Sequence, residues 1–337
     1  AKEENHAISR YGPSHIDVVS VLEGIKTEAG NDLKIKYTKG CELIDENFPR
    51  SDIMDFPISS AEQTSINQAK SMANNSDLVI VVIGEDETLV GEGRTRATLD
   101  LPGNQLELIK SLHSTGTPVV AILLNGRPLS INWTNENIPA IVEAWFPGEN
   151  GGTALADVIF GNYNPGGKLP FTFPKSVGQI KFNFPFKRGS QNPPANWDWL
   201  TRGTMIDDVI YPFGHGLSYT SFEYSNLKIE PKKQYTKGDI TVTFDIKNTG
   251  DMKGDEVVQL YISDLVSSVV TYESMLKRFD RITLKPKQTE TVEFKLRPED
   301  LRLLDKDMEW VVEPGEFEVR VGSSSKDIRL KENFEIR

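Results

Sequence analysis

Two unbroken apolar runs constrain the fold of this chain more than any other feature. Residues 78–83 (LVIVVI) and 118–124 (PVVAILL) are rich in β-branched side chains, which is typical of strands buried on both faces of a parallel sheet. Short links between strands and helices predict right-handed parallel crossovers and an α/β sheet covered by helices on both faces. The helical patterns lie near residues 15–29, 60–73, 104–113 and 152–160.

Two shorter segments are predicted to add strands to the same half of the chain. Residues 33–37 (LKIKY) alternate between apolar and polar side chains, as a half-buried strand does. Residues 140–145 (AIVEAW) form a third mostly apolar run. We therefore expect a multi-stranded α/β sandwich, and we place this domain at residues 1–186.

The last third of the chain has a different periodicity. Apolar and polar residues alternate in several short segments separated by turn signals such as Pro314-Gly315, which predicts a β-sandwich over residues 222–337. Residues 187–221 show few regular patterns and are interpreted as a linker. Three aromatic residues of the sandwich are predicted to lie in its core: Tyr261, Trp310 and Phe317.

Composition excludes several classes of function. With 38 Lys and Arg against 49 Asp and Glu, the net charge is −11, and the scattered cations offer no face for nucleic acid. No apolar run approaches the roughly 20 residues that a membrane span needs. The single cysteine excludes an internal disulfide, and the four histidines lie far apart, so we predict neither a metal nor a cofactor.

The segment that follows the first apolar run is unusually charged. Residues 84–103 (GEDETLVGEGRTRATLDLPG) leave the carboxyl end of a predicted central strand, which is where ligands bind in open α/β sheets. A solvated acidic loop whose arginines pair with its own acids would have the same composition. The residue types alone leave both interpretations open. The charged residues concerned are Glu85, Asp86, Glu87, Glu92, Arg94 and Arg96.

Several motifs, in order along the chain, resemble those of glycoside hydrolase family 3. The resemblance extends from about residue 18 to the C-terminus and covers nearly the whole chain. The motifs lie at residues 84–85 (GE), 91–94 (GEGR), 99–105 (LDLPGNQ), 124–128 (LNGRP), 144–148 (AWFPG), 161–170 (GNYNPGGKLP) and 211–220 (YPFGHGLSYT).

The resemblance implies a fold and a missing part. Family members of the β-glucosidase branch have a barrel, then a six-stranded α/β sandwich, then a fibronectin type III-like β-sandwich. This chain matches the second and third, so we expect it to be a C-terminal fragment or the second piece of a split enzyme. The absent barrel supplies the aspartate nucleophile and most sugar contacts, and the first strand of the α/β sandwich is also expected to be absent.

The resemblance also implies a catalytic residue. In the family, the α/β sandwich contributes a glutamate that acts as general acid/base, and the motif alignment places it at Glu92, between Gly91 and Gly93. Glu87 is the alternative, because this loop varies in length across the family. A retaining glycosidase needs two carboxyl groups about 5–5.5 Å apart, one a nucleophile and one an acid that later acts as base.

The other charged residues of the segment are predicted to hold the loop in place. Glu85, next to the strand end, and Asp100 are expected to pair with Arg94 and Arg96. Glu92 would then be presented by a braced loop.

The implied function is that of the acid/base-bearing portion of a retaining exo-β-glycosidase acting on terminal β-D-glucosyl residues. The implied partners are a glycoside substrate and the missing barrel, in cis or in trans, and the implied location is periplasmic or secreted. Two alternatives stay open: a non-catalytic carbohydrate-binding or interaction module, and a β-xylosidase-type member.

Overall fold

A computed structural model describes residues 2, 8–13, 16–179, 183–187 and 208–337. Two compact units can be distinguished, one of residues 1–163 and 174–177, the other of residues 164–173 and 178–337. Most of the predicted linker lies outside the described residues, so the predicted boundaries at residues 186 and 222 stay predictions.

The first unit contains a three-stranded parallel sheet. Its strands are β1 (Val79–Gly84), β2 (Val119–Leu124) and β3 (Ala140–Glu143), in the order β1-β2-β3. Val79 is in register with Val119, and Val120 with Ala140. The central strand is β2, which is the most deeply buried and confirms the predicted parallel sheet, whereas β1, predicted to be central, lies at the edge of the described sheet.

Five helices accompany this sheet. Among all helices of the described residues, none is long and apolar enough to cross a membrane. The first helix begins later than predicted, because Ser20 and Glu23 form a capping box that sets its start at Val21. Helices α1 (Val21–Ala29) and α5 (Gly151–Phe160) approach closely at two glycines: a Cβ on Gly24 would lie 2.0 Å from the carbonyl oxygen of Gly152. The helices are α1 (Val21–Ala29), α2 (Ser60–Ala73), α3 (Gln105–His113), α4 (Asn132–Asn137) and α5 (Gly151–Phe160), with a 3₁₀ turn at Arg50–Asp52.

The prediction of a strand at residues 33–37 is wrong. These residues belong to no strand, and the predicted apolar face is not buried: Ile35 packs against the core of the unit, but Leu33 and Tyr37 are exposed. Strand formation requires a neighbouring backbone to accept and donate hydrogen bonds. Between this region of the chain and β1 lies a cavity of about 230 Å³, lined by residues 36–43 and 78–85 among others.

The second unit is the predicted β-sandwich. A five-stranded sheet contains, in spatial order, β5 (Lys233–Gln234), β13 (Ile328–Ile336), β12 (Gly315–Gly322), β7 (Gly254–Asp264) and β8 (Met275–Leu284). A three-stranded sheet contains, in spatial order, β4 (Phe222–Glu230), β6 (Ile240–Asn248) and β9 (Thr289–Leu296). Side chains from both sheets, such as Phe244 and Leu260, meet in one buried cluster. The other two strands are β10 (Leu303–Leu304) and β11 (Trp310–Val311), and a short helix α6 spans Pro298–Leu301.

Two of the three aromatic residues predicted to lie in the core are buried, and the third is exposed. Tyr261 and Phe317 are buried, as predicted, whereas Trp310 is 61% exposed. Trp310 lies on the two-residue strand β11, whose only partner among the described strands is β10, and the guanidinium of Arg302 lies 4.8 Å from its ring centroid. The core prediction for Trp310 is therefore wrong, because a short hairpin outside the two main sheets has no covered face.

Candidate active site

The charged segment leaves the carboxyl end of β1, at the edge where β2 and β3 also end. Glu85 and Asp86 follow the last residue of β1 directly, Asn125 follows β2, and Glu143 is the last residue of β3. Parallel strands bring their carboxyl ends to the same edge of a sheet, so these polar residues share one edge.

Glu85 is the buried anchor of this segment. Its side chain has no exposed surface, and its Oε1 lies 3.1 Å from Nε of Arg127 and 3.3 Å from Nη1 of Arg96. Burial raises the pKa of the Glu85 carboxyl, and the two guanidinium groups oppose that rise. A carboxylate held between two cations braces the loop and is not free to transfer protons.

Arg96 links Glu85 to a more distant part of the unit. Its guanidinium makes a two-pronged contact with Asp52, at 3.1 Å from Nε and 2.7 Å from Nη2. Its Nη1 also donates to the carbonyl oxygen of Asp100 at 2.8 Å. The 3₁₀ turn that carries Asp52 is thereby tied to the charged loop.

Arg127 fastens the backbone of the loop as well as Glu85. Its Nη2 donates to the carbonyl oxygen of Leu89 at 2.5 Å and to that of Arg94 at 3.2 Å. Leu89 is itself buried, so the segment between Glu85 and Arg94 is held by packing and by hydrogen bonds. The loop is therefore a braced structure and not a freely solvated turn.

The predicted ion pairs are confirmed in part. The pair of Glu85 with Arg96 is present, but the second cation is Arg127 and not Arg94, whose side chain is exposed and whose carbonyl makes the contact. Asp100 contacts Arg96 through its main chain. Asp52 was missed because the chain folds back over 44 residues to bring it there.

Glu92 is exposed, and its backbone is held on both sides. Its N–H donates to Oη of Tyr11 at 2.6 Å, and its carbonyl accepts from Nη1 of Arg10 at 3.0 Å. The flanking glycines have φ of 121° (Gly91) and 72° (Gly93), values that side chains larger than glycine adopt with strain. Within the described ranges, the Glu92 carboxylate has no hydrogen-bond or ion-pair partner.

Glu87 is also exposed and occupies a well-defined turn. The Oδ1 of Asp86 accepts from the backbone N–H of Thr88 at 2.9 Å and from its hydroxyl at 2.6 Å. These bonds fix the turn that presents Glu87. Glu92 and Glu87 are thus both displayed by the loop, and the choice of Glu92 as the acid/base stays a prediction.

Two polar residues of this edge were not identified from the sequence. Asn125 is completely buried, and the carboxyl of Glu143 accepts the N–H of Trp145 at 3.0 Å through Oε1. Burial raises the pKa of Glu143 to about 8, while the bonds from Trp145 and Asn125 oppose that rise. The available signal was the single carboxylate inside the apolar run of residues 140–145.

The arrangement can present one glutamate carboxyl for proton transfer. Glu85 is engaged by two arginines, so the exposed candidates are Glu92 and Glu87. In the part of the chain that the structure describes, no three His, Cys, Asp or Glu side chains are grouped to hold a metal ion.

Comparison with protein-family models matches both units. The glycosyl hydrolase family 3 C-terminal domain matches residues 4–219, and a fibronectin type III-like domain matches residues 256–325. The α/β sandwich followed by a fibronectin type III-like sandwich is therefore confirmed at the level of family and fold.

Curated relatives match nearly the whole chain with part of their own length. A β-xylosidase of Formosa agariphila is 44% identical over 314 residues, which are 93% of this chain and 41% of the relative. The periplasmic β-glucosidase of Salmonella typhimurium is 36% identical over 325 residues, 92% of this chain and 42% of the relative.

Solved structures show the same partial coverage. A β-glucosidase from Erythrobacter marinus gives a TM-score of 0.85 at 32% identity, covering 99% of this chain and 46% of that protein. A mutant β-glucosidase from Listeria innocua in complex with laminaribiose gives a TM-score of 0.80 at 30% identity, covering 95% of this chain and 42% of that protein. This chain spans less than half the length of each of these proteins.

Proposed function

This chain belongs to glycoside hydrolase family 3, and we propose that it supplies the general acid/base of a retaining exo-β-glycosidase acting on terminal β-D-glucosyl residues. The observation that carries the proposal is the braced loop at the carboxyl edge of the sheet. The start of the loop is held by ion pairs of Glu85 with two arginines. Glu92 lies further along the loop between two glycines, where its backbone is hydrogen-bonded and its carboxylate has no partner among the described residues.

In the proposed mechanism, Glu92 acts in both steps of the reaction. Its carboxyl group donates a proton to the glycosidic oxygen as the leaving group departs, while a nucleophilic carboxylate attacks the anomeric carbon and forms a glycosyl-enzyme. The resulting Glu92 carboxylate then takes a proton from water, which attacks the anomeric carbon and releases the sugar. The nucleophile belongs to the barrel that this chain does not contain.

The barrel has a second role in this proposal. A catalytic acid must stay protonated near neutral pH, which requires burial or a nearby negative charge. Glu92 is exposed in the described chain. We propose that the barrel, in cis or in trans, covers the loop and brings the nucleophile close to it.

A β-xylosidase is the second candidate, and one comparison favours it. The relative with 44% identity is a β-xylosidase, while the relative from Salmonella typhimurium is a β-glucosidase. The acid/base chemistry is the same for both sugars, so this loop does not discriminate between them. Rates of the complete enzyme on nitrophenyl β-glucoside and β-xyloside decide between the two candidates. We further propose a periplasmic or secreted location, as for the periplasmic relative.

The open edge of β1 supports the proposal that another segment completes this unit. Within the described chain β1 pairs with β2 alone, and the 230 Å³ cavity separates it from residues 36–43. The amide of Gln105 spans the gap at one end: Oε1 accepts from the N–H of Gly84 at 2.7 Å, and Nε2 donates to the carbonyl of Leu43 at 3.0 Å. The Gln105 amide thus hydrogen-bonds the backbone at the end of β1 and the backbone at Leu43. A strand inserted between these two segments would make the same kind of backbone hydrogen bonds.

Hydrogen exchange is expected to report this open edge. In the 337-residue chain, amides of β1 that point away from β2 should exchange about tenfold faster than amides of β2, since a backbone hydrogen bond contributes a net ~0.5–1.5 kcal/mol. Adding the remainder of the polypeptide should slow them, while the amides of β6 in the second unit serve as the control. Equal protection of β1 and β2 in the isolated chain would contradict the open edge.

The 337-residue chain alone is expected not to hydrolyse aryl β-glucosides or β-xylosides. Retaining hydrolysis needs a nucleophile about 5–5.5 Å from the acid, and Glu85 is held by two arginines. The purified chain should show no turnover of nitrophenyl substrates above buffer, and the complete enzyme is the positive control. Turnover by the chain alone that disappears in a Glu92→Gln variant would show that the chain contains a complete site.

A further inference from the structure

The turn that carries Glu92 is closed by a backbone hydrogen bond of its own. The N–H of Arg94 donates to the carbonyl oxygen of Gly91 at 3.0 Å, so residues 91–94 form a β-turn with Glu92 at its first central position. Gly93 occupies the second central position with a φ of 72°, the positive value that a type II turn requires there. This geometry leaves the N–H and the carbonyl of Glu92 without a partner inside the turn.

A second turn, far away along the chain, supplies the two partners. The N–H of Gly12 donates to the carbonyl oxygen of Ser9 at 2.8 Å, which places Arg10 and Tyr11 at the two central positions. Nη1 of Arg10 donates to the carbonyl oxygen of Glu92 at 3.0 Å, and Oη of Tyr11 accepts the N–H of Glu92 at 2.6 Å. Two consecutive side chains of one turn therefore hold both backbone groups of a residue 81 and 82 positions away.

The glycine before Glu92 allows the two turns to approach each other. A Cβ on Gly91 would lie 3.2 Å from Cδ of Arg10 and 3.3 Å from Oη of Tyr11, so a larger side chain would press against both groups. The φ of Gly91 is 121°, which also favours glycine. Gly91 therefore serves the contact with Arg10 and Tyr11 as well as the conformation of its own backbone.

The two ends of the Glu92 turn are held by a different residue. Nη2 of Arg127 donates to the carbonyl oxygen of Leu89 before the turn and to that of Arg94 at its end. Arg127 thus fixes where the chain enters and leaves the turn, and the second turn fixes its corner. Without the corner contacts, Glu92 would stand between two glycines, the residue type with the greatest backbone freedom, and its carboxyl group would sample many positions.

We propose that Arg10 and Tyr11 are positioning residues, which hold the backbone of Glu92 so that its carboxyl group reaches the glycosidic oxygen. The inference rests on the proposed function of Glu92 as general acid/base. Proton transfer requires the two heavy atoms to lie about 2.6–3.2 Å apart, and a displacement of about 1 Å can lower a rate on the order of 10²-fold. Arg10 and Tyr11 act through the backbone of Glu92, so neither has to touch the substrate.

The first test measures the order of the Glu92 backbone in the 337-residue chain by NMR relaxation. The amide order parameter of Glu92 should be about 0.85 in wild type and below about 0.6 in the double variant Arg10→Met/Tyr11→Phe. These substitutions keep the aliphatic stem and the ring and remove only the hydrogen-bonding groups. The control is Tyr235→Phe, at an exposed tyrosine of the second unit, and it should keep the wild-type value. A Glu92 amide that stays rigid in the double variant would overturn the proposal.

The second test measures glycosyl-enzyme formation by the complete enzyme. Tyr11→Phe should slow this step by about 10–10²-fold for poor leaving groups, which need the proton of Glu92, and leave it unchanged for dinitrophenyl glycosides. Arg10→Met should show the same selective loss. Arg10→Lys should recover most of the rate, because a lysine ammonium also donates to a carbonyl oxygen. A merely structural role would slow both classes of substrate alike, and that result would contradict the proposal.

Failure of the proposed function gives a different result from failure of this inference. If Glu92 is not the acid/base, Glu92→Ala keeps its rates on poor leaving groups, and both proposals are overturned. If Glu92 is the acid/base but its position does not depend on the second turn, Glu92→Ala is impaired while the Arg10 and Tyr11 variants keep wild-type rates on every leaving group. That result overturns the positioning role alone and leaves the proposed function standing.

Discussion

Replacing Glu92 by alanine in the complete enzyme is expected to slow hydrolysis of glycosides with poor leaving groups by about 10²–10⁴-fold, the usual range for general acid–base catalysis. Such leaving groups depend on protonation of the glycosidic oxygen. Good leaving groups such as dinitrophenolate need no proton, so the glycosyl-enzyme should still form and then accumulate, because no base activates water. Steady-state rates across a series of leaving groups, together with a pre-steady-state burst, measure both effects.

A small anion should rescue this variant. Removal of the Glu92 side chain leaves space beside the glycosyl-enzyme, and azide can attack the anomeric carbon without the help of a base. Turnover of a substrate with a good leaving group should then rise with azide concentration, and the product should be a β-glycosyl azide. Retention of configuration in that product would show that azide attacks a covalent intermediate.

The matched control for this experiment is Glu87→Ala, since Glu87 is exposed on the same loop. It should lose little activity and gain nothing from azide. If azide restores turnover of Glu87→Ala and leaves the turnover of Glu92→Ala unchanged, the acid/base is Glu87. If neither variant responds, the carboxyl group that transfers the proton lies elsewhere, and the loop has a binding role.

Replacing Arg96 by methionine is expected to destabilise the first unit by about 3–5 kcal/mol, the usual effect of removing one partner from a buried ion pair. The side chains of Arg96, Glu85 and Asp52 are 2%, 0% and 6% exposed, so water cannot solvate the two carboxylates that remain. Methionine preserves most of the aliphatic length of arginine, and the loss therefore reports the missing charge. The measurement is the urea midpoint of the 337-residue chain, monitored by a probe in the first unit.

Arg94→Met is the control for this prediction, two residues away on the same loop. Arg94 is exposed and makes no ion pair within the described residues, so its replacement should change stability by no more than ~0.5 kcal/mol. Equal stability of the two variants would show that the Glu85 and Asp52 carboxylates are satisfied without Arg96. The loop would then be held by packing alone.

The architecture was predictable from local patterns. Residues 78–83 and 118–124 predict buried parallel strands because their side chains leave no polar face, and the alternation after residue 222 predicts a sandwich because successive side chains in a strand point to opposite faces. Both signals depend on the geometry of the backbone over a few residues. The same local reasoning failed at residues 33–37 and at Trp310, where a neighbouring strand or a covering layer is absent among the described residues.

The sequence by itself determined the buried strands of the first unit, the sandwich of the second, the charged loop at a strand end and the family to which its motifs belong. Only the tertiary structure showed that Arg127 and not Arg94 completes the Glu85 cluster, that Asp52 joins it, and that the pKa of Glu143 is raised. The reason is physical. An ion pair or a raised pKa depends on which groups meet and on how much water the fold excludes, and residues 44 positions apart meet only when the chain has folded.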